Sequence, residues 1–213
     1  MKLIGQFDSP FVRRVGIALK LYGAAFDHMP YSSFGEWEKF AQHNPLRRVP
    51  ALVLETGEAL IDSAAILDHL DQTHEGDGAL IAASGPLRRA ALRRIALRRI
   101  ALACGTADKA VSFFYARLFA PRLDPIFVER SEGQILAGLA ALEQECAARQ
   151  GPWWHGSSPG HDDIAVACVG RFLSEAYPKL VSLTDYPALA AHCGAAEALP
   201  AFKAVSQSFI PPR

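Results

Sequence analysis

The chain has 213 residues, half of them hydrophobic, which permits one large domain or two small ones with a packed core. Its 22 basic residues balance 22 acidic ones, so net charge favours neither nucleic acid nor a membrane surface as a partner, and no stretch approaches the ~18 uninterrupted apolar residues of a membrane span. The four cysteines lie far apart without zinc-ligand spacing, which indicates a reduced, cytoplasmic protein with no metal site.

The first third of the chain predicts alternating strands and helices. We expect strands at residues 2–6, 25–30, 51–54 and 59–61. We expect helices at residues 10–23, 36–42 and 63–73. The order βαβαββα describes a small α/β layer whose last two strands form a hairpin around Gly57.

Helical periodicity, punctuated by prolines, dominates from residue 86 onward and predicts an all-α second part. We expect helices at residues 86–119, 124–149, 162–176, 186–194 and 199–208. The Gly- and Ser-containing stretch before them predicts a linker. The predicted division is a first domain at 1–76, a linker at 77–85 and a helical domain at 86–213.

The long helix begins with a Leu-Arg-Arg repeat of period five, at Leu87, Leu92 and Leu97. Five helical steps turn about 500°, so the repeated pairs spiral round the helix, which argues against a membrane-lying helix. Nucleic-acid binding by these arginines is an alternative that the neutral net charge disfavours. We expect their stems to pack over apolar neighbours and their charges to reach water or acidic partners, some on a second subunit.

A first motif follows the first strand, where Ser9 occupies the expected N-cap and Pro10 the first helical position. It describes either an ordinary capped helix or a hydroxyl aimed at a ligand from a helix N-terminus, whose N–H groups favour anions.

Two further motifs flank the later strands. A cis bond between Val49 and Pro50 would turn the Val49 backbone outward, to pair with an extended ligand. Asp62 and Ser63 follow a strand and open a helix, with Ser63 as the expected N-cap. An anion at that helix start and an ammonium group at Asp62 would together hold an amino-acid head; a capped helix alone is the alternative.

In this order the three motifs resemble the cytosolic glutathione S-transferases, and specifically a bacterial branch with the Ser-Pro-Phe-Val-Arg motif found here at Ser9–Arg13. The resemblance covers essentially the whole chain. It departs at the start of a later helix, where Gly160 stands at a cap that the family fills with Ser or Thr, and Asp163 stands three residues on. The resemblance implies the family's fold: a thioredoxin-like α/β N-terminal domain and an all-α C-terminal domain.

The resemblance also implies how glutathione, the cosubstrate, is held. It assigns the Ser9 hydroxyl as hydrogen-bond donor to the glutathione sulfur. It assigns the Val49 backbone, beside a cis Pro50, to the cysteinyl part, and Asp62 with Ser63 to the γ-glutamyl head.

Three other residues complete the expected site. Arg48 would approach the glycyl carboxylate, with a solvated side chain as the alternative. Phe11 and Tyr115 would line an electrophile pocket built largely by the helical domain.

The expected chemistry is thiol activation. A free thiol has a pKa near 8.5, and one hydrogen bond with a helix N-terminus would lower it by about one to two pH units. Phe7 stands where a tyrosine-type transferase needs Tyr, while Ser9 and Val12 stand where a cysteine-type enzyme needs Cys.

We therefore expect a transferase that directs glutathione thiolate at a small hydrophobic electrophile, in detoxification. We expect a cytoplasmic homodimer with the Arg-repeat helix at or near the interface. The alternative is a module that binds glutathione or a partner protein with little turnover.

Overall fold

The computed structural model describes residues 1–74, 80 and 86–211, the stretch 86–92 by its backbone alone. The predicted linker at 77–85 lies, except for Leu80, outside the described residues. The chain divides into two compact units, one from residues 1–89 with 197–213 and the other from residues 90–196. The sequence prediction assigns the C-terminal segment to the helical domain, whereas the contacts group it with the first unit.

The first unit contains a four-stranded mixed sheet. Its strands are β1 (Lys2–Ile4), β2 (Asp27–Met29), β3 (Ala51–Val53) and β4 (Ala59–Ile61). Their order is β2-β1-β3-β4, with β1 and β2 parallel and the other neighbours antiparallel. The predicted strand order and hairpin are confirmed, although every strand except β4 is shorter than predicted.

Helices α1 (Pro10–Leu21) and α2 (Ser63–Thr73) complete this layer and pack against each other. The expected helix at 36–42 is wrong: only a 3₁₀ turn forms, at Trp37–Lys39. The Glu36 carboxylate accepts a hydrogen bond from the Ser32 N–H at 3.0 Å, so the segment closes as a local loop instead of propagating a helix.

The remaining elements are helical, as predicted. They are α3 (Pro86–Phe119), α4 (Pro125–Ala147), α5 (His161–Ala176), α6 (Pro187–Glu197) and α7 (Pro200–Ala204). Helix α5 is buried along most of its length and forms the core of the second unit with the inner face of α4. No helix in the described ranges combines the length and apolar character needed to cross a bilayer.

The Arg repeat finds acidic partners within this chain. Arg98 and Arg99 both pair with Glu145 of α4, and the Arg99 Nη1 also lies 3.2 Å from an Asp162 carboxylate oxygen. These ion pairs confirm that the arginine charges reach acidic groups.

The α5 start bears out the expected departure from the family pattern. Gly160 is the N-cap, and its N–H donates to Oδ2 of Asp163 at 2.9 Å. Glycine has no side chain to return the bond, so half of a capping box forms.

Candidate active site

The pairing of the strands brings the three motifs to one end of the sheet. Ile4 of β1 pairs with Ala51 of β3, which in turn pairs with Ile61 of β4. Because β3 runs opposite to β1 and β4, the residues after β1, before β3 and after β4 share one edge. The motifs that open on Ser9, Val49 and Asp62 therefore meet there.

Ser9 caps α1 as predicted. It is half-buried, and its Oγ accepts a hydrogen bond from the Val12 N–H at 3.4 Å. A hydroxyl that accepts through its oxygen still has its hydrogen to donate elsewhere. The cap geometry thus leaves a donor at a helix N-terminus, where the helix dipole favours negative charge.

The peptide bond between Val49 and Pro50 is cis, in agreement with what the resemblance implies. Val49 precedes the β3 pairing, so its backbone lies outside the sheet ladder. Gly5, with φ +121°, permits its close approach, since a Cβ there would lie 2.8 Å from the Val49 Cβ and 2.5 Å from the Val12 Cγ2. Val49 is therefore held next to the first turn of α1.

The third motif requires a correction. The N-cap of α2 is Asp62, not Ser63: the Asp62 Oδ1 accepts from the Ala64 N–H at 2.9 Å. Aspartate and serine are equally good caps, so adjacent candidates could not be ranked from sequence. Asp62 is exposed and has φ +59°, whereas Ser63 is only 2% exposed and is the first helical residue.

Arg48 is exposed in the loop that precedes Val49. The sequence analysis missed the residue that shapes this loop, the buried Asn44. Its Nδ2 donates to the Arg48 carbonyl at 2.7 Å, and its Oδ1 accepts from the Leu46 N–H at 3.0 Å. The signal was available, because Asn before Pro is typical of a turn in which the side chain bonds to nearby backbone.

The two residues assigned to the electrophile pocket lie in different units. Phe11 is half-buried in the first turn of α1. Tyr115 is half-buried in α3, with ring centroids of Phe114 and Phe119 at 6.2 and 6.4 Å. Their shared pocket stays a prediction.

The sequence analysis also missed contacts from the far end of the chain. The C-terminal segment reaches the loop between β1 and α1, where Gln207 accepts a hydrogen bond from the Phe7 N–H at 3.0 Å. No cluster of three or more metal-ligating side chains occurs within the described ranges.

Comparison with known families gives two matches along the chain. The family model described as "Glutathione S-transferase, N-terminal domain" matches residues 3–78, and "Glutathione S-transferase, C-terminal domain" matches residues 125–195. A GST-like protein of Escherichia coli K12, itself uncharacterized, is 39% identical over 71 residues. That alignment covers 33% of this chain and 35% of the length of the Escherichia coli protein.

Solved structures match over nearly the full length. A glutathione transferase family member from Pseudomonas fluorescens Pf-5, with bound glutathione, is 30% identical over 100% of this chain and 99% of that one, with a TM-score of 0.78. A glutathione S-transferase from Methylobacterium radiotolerans, in complex with glutathione sulfonate, is 28% identical over 100% and 98%, with a TM-score of 0.84.

Proposed function

Because this chain belongs to the glutathione S-transferase family, we propose that it is a Ser-type transferase in which Ser9 activates the thiol of bound glutathione. The observation that carries the proposal is the position of Ser9: its hydroxyl caps α1 at the sheet end where the Val49 and Asp62 motifs also lie.

The Ser9 hydroxyl acts as a donor, not a nucleophile. Its oxygen accepts from the Val12 N–H, and its hydrogen donates to the sulfur of glutathione. A hydrogen bond to the charged form of an acid favours that form, and the N-terminus of α1 adds a favourable potential. The pKa of the thiol falls, and more of it is thiolate at neutral pH.

The rest of the tripeptide lies along the same edge in this proposal. The Val49 backbone pairs with the cysteinyl part as an added strand would. The exposed Asp62 carboxylate receives the γ-glutamyl ammonium group, and the first turn of α2 at Ser63 receives its carboxylate. Arg48, exposed before Val49, pairs with the glycyl carboxylate. The glutathione bound to the Pseudomonas fluorescens relative supports glutathione as the cosubstrate.

The thiolate then attacks a small hydrophobic electrophile, with Phe11 and Tyr115 lining its pocket. We propose a detoxifying role, in the cytoplasm, for a homodimer of the bacterial Ser-type branch. Two exposed apolar residues of α3, Ile95 at 41% and Leu97 at 44%, support an interface on the Arg-repeat helix. The proposed domains are residues 1–76 and 86–213.

The test compares conjugation of glutathione with a generic aryl halide by wild type, Ser9→Ala, Ser9→Thr and Ser112→Ala. Ser112 is an exposed serine of α3 and serves as the matched control. Loss of one transition-state hydrogen bond to a charged group predicts a fall in kcat/KM of about 10- to 100-fold in Ser9→Ala. Ser9→Thr keeps the hydroxyl and most of the activity. Equal rates for wild type and Ser9→Ala would remove Ser9 from the mechanism.

A further inference from the structure

The C-terminal segment is fixed to α1 one turn beyond Ser9. Arg13 of α1 is only 2% exposed, and its guanidinium lies 2.5 and 2.7 Å from the two carboxylate oxygens of Glu197. The same guanidinium donates to the carbonyl of Phe202 at 3.2 Å and to that of Val205 at 3.1 Å. A planar guanidinium that satisfies a carboxylate and two carbonyls holds the chain end in one orientation.

From Val205 the tail, residues 205–211, continues to the loop that carries Ser9. The Gln207 Oε1 accepts from the Phe7 N–H at 3.0 Å. Three residues later, the Ile210 N–H donates to the Asp8 carboxylate at 3.3 Å. The two residues immediately before Ser9 are thus each bonded to the tail.

The loop is fixed from the other side by the Phe7 ring. That ring stacks on His28 with centroids 3.9 Å apart, and it contacts Gly16, where a Cβ would lie 2.7 Å from it. The ring sets where Phe7 is, and the bond to Gln207 sets how its peptide plane is turned. That plane leads directly through Asp8 to the Ser9 backbone.

We propose that Gln207 is a positioning residue for the proposed reaction: its side-chain oxygen orients the Phe7 peptide, and through it the Ser9 hydroxyl that faces the glutathione sulfur. The inference rests on the proposed role of Ser9. Gln207 touches neither glutathione nor the electrophile; it acts through the loop. The tail as a whole is the support that keeps the donor aimed.

The physical reason is the steep dependence of a hydrogen bond on geometry. Donor strength falls sharply once the bond angle leaves its preferred range, and a displacement of about 1 Å in a catalytic group costs up to 100-fold in rate. Without Gln207 the Phe7 N–H loses its acceptor and turns toward water. Ser9 then samples orientations in which its hydrogen misses the sulfur.

The test uses Gln207→Leu, which keeps the side-chain size and removes the acceptor, and Ser208→Ala, an exposed neighbour, as the matched control. Ile210→Pro removes the second tail bond without touching Gln207, because proline has no N–H. Ile210 is 57% exposed, so this variant is expected to fold. The readouts are the pH–rate profile of kcat, the KM for glutathione, and the melting temperature.

We expect kcat at neutral pH to fall about 5- to 20-fold in Gln207→Leu and about 2- to 5-fold in Ile210→Pro. The limb of the profile that reports the thiol moves to higher pH in both, while KM for glutathione changes less than about 3-fold. Ser208→Ala matches wild type. A purely structural role would lower the melting temperature and leave the profile in place.

The two levels of the account fail in different ways. If Ser9→Ala impairs catalysis while Gln207→Leu and Ile210→Pro keep the wild-type pH profile, the positioning inference is wrong and the role of Ser9 stands. If Ser9→Ala itself keeps the wild-type profile, the proposed function is wrong and the inference falls with it.

Discussion

At the scale of single residues, the site depends on a glycine as much as on the serine. Ser9 supplies the donor, but Gly5 sets how near the Val49 loop comes to the α1 start. Its φ of +121° lies in the region that side chains rarely adopt, and its missing Cβ leaves the space that Val12 and Val49 fill.

Gly5→Ala is therefore expected to destabilise the protein by about 3 kcal/mol, from overpacking and backbone strain together. Gly35→Ala is the matched control, because no atom lies within 4 Å of a Cβ built there. Denaturant unfolding of both variants measures the difference. A Gly5→Ala protein as stable as the control would show that this close approach does not constrain the site.

Residue roles were predictable from sequence where the cause is local. Ser9 was placed correctly because Ser-Pro before an apolar helix specifies a cap. Asp62 was displaced by one position because its neighbour Ser63 caps equally well. Gln207 was invisible, since its partner Phe7 lies 200 residues away and a lone glutamine near a chain end has no signature.

At the scale of elements, the α5 start carries a buried charge cluster. The His155 Nε2 donates to Asp162 at 2.9 Å, and Arg99 donates to the same carboxylate. The hydrogen bond to Asp162 raises the pKa of His155, against the effect of burial. Burial acts to raise the pKa of Asp162, but the bonds from His155 and Arg99 outweigh it and hold that pKa below its usual value.

Two neighbours titrate in the same region. Burial raises the pKa of Asp163 to about 7, although the Gly160 N–H stabilises its charged form. Burial lowers the pKa of His192 to about 4, and its Nε2 donates to the Asp163 carbonyl at 3.0 Å. A difference measurement is therefore needed to isolate the pair of His155 and Asp162.

We predict a pH window for this pair. The raised pKa of His155 means that its contribution is complete below the unfolded-state value of about 6.5 and is lost as pH rises through the folded-state value. The lowered pKa of Asp162 means that its contribution is complete above about pH 4 and is lost on further acidification.

The measurement is the unfolding free energy of wild type and His155→Asn across pH, repeated in an Asp162→Asn background. The loss in His155→Asn is expected to be about 2 kcal/mol between pH 4.5 and 6 and to shrink above neutrality. In the Asp162→Asn background the pH dependence disappears. An equal loss at pH 5 and pH 9 would show that the pair is not charged as described.

Element bounds were most predictable where periodicity is long. Helix α3 ends where the pattern predicts, and α4 does so within two residues. The expected helix at 199–208 stops at Ala204, because the Val205 carbonyl accepts from Arg13 and the following residues turn to the Ser9 loop. A local pattern cannot report that competition from a distant arginine.

At the scale of the whole molecule, the chain closes on itself. The last described residues belong to the same compact unit as the first strand, so the glutathione-binding half is completed only when synthesis ends. Composition could predict two parts but not this return, because the contacts of Glu197 and Gln207 are each specified by one side chain.

The proposed homodimer gives a prediction at this scale. Leu97→Glu puts a charge on the exposed apolar face of α3 beside the arginines, and it is expected to convert a dimer into a monomer in sedimentation experiments. Leu118→Glu is the control, since Leu118 lies at the far end of the same helix and is equally exposed, at 43% against 44%. Dimers that persist in Leu97→Glu and dissociate in Leu118→Glu would move the interface to the other end.

The central claim concerns the state of the sulfur, and titration of enzyme-bound glutathione measures it directly through the ultraviolet absorbance of the thiolate. Wild type is predicted to hold the bound thiol with a pKa about one to two pH units below the free value near 8.5, and Ser9→Ala to return it most of the way. A bound thiol that titrates at the free value in wild type, or at the same lowered value in both proteins, would contradict the account.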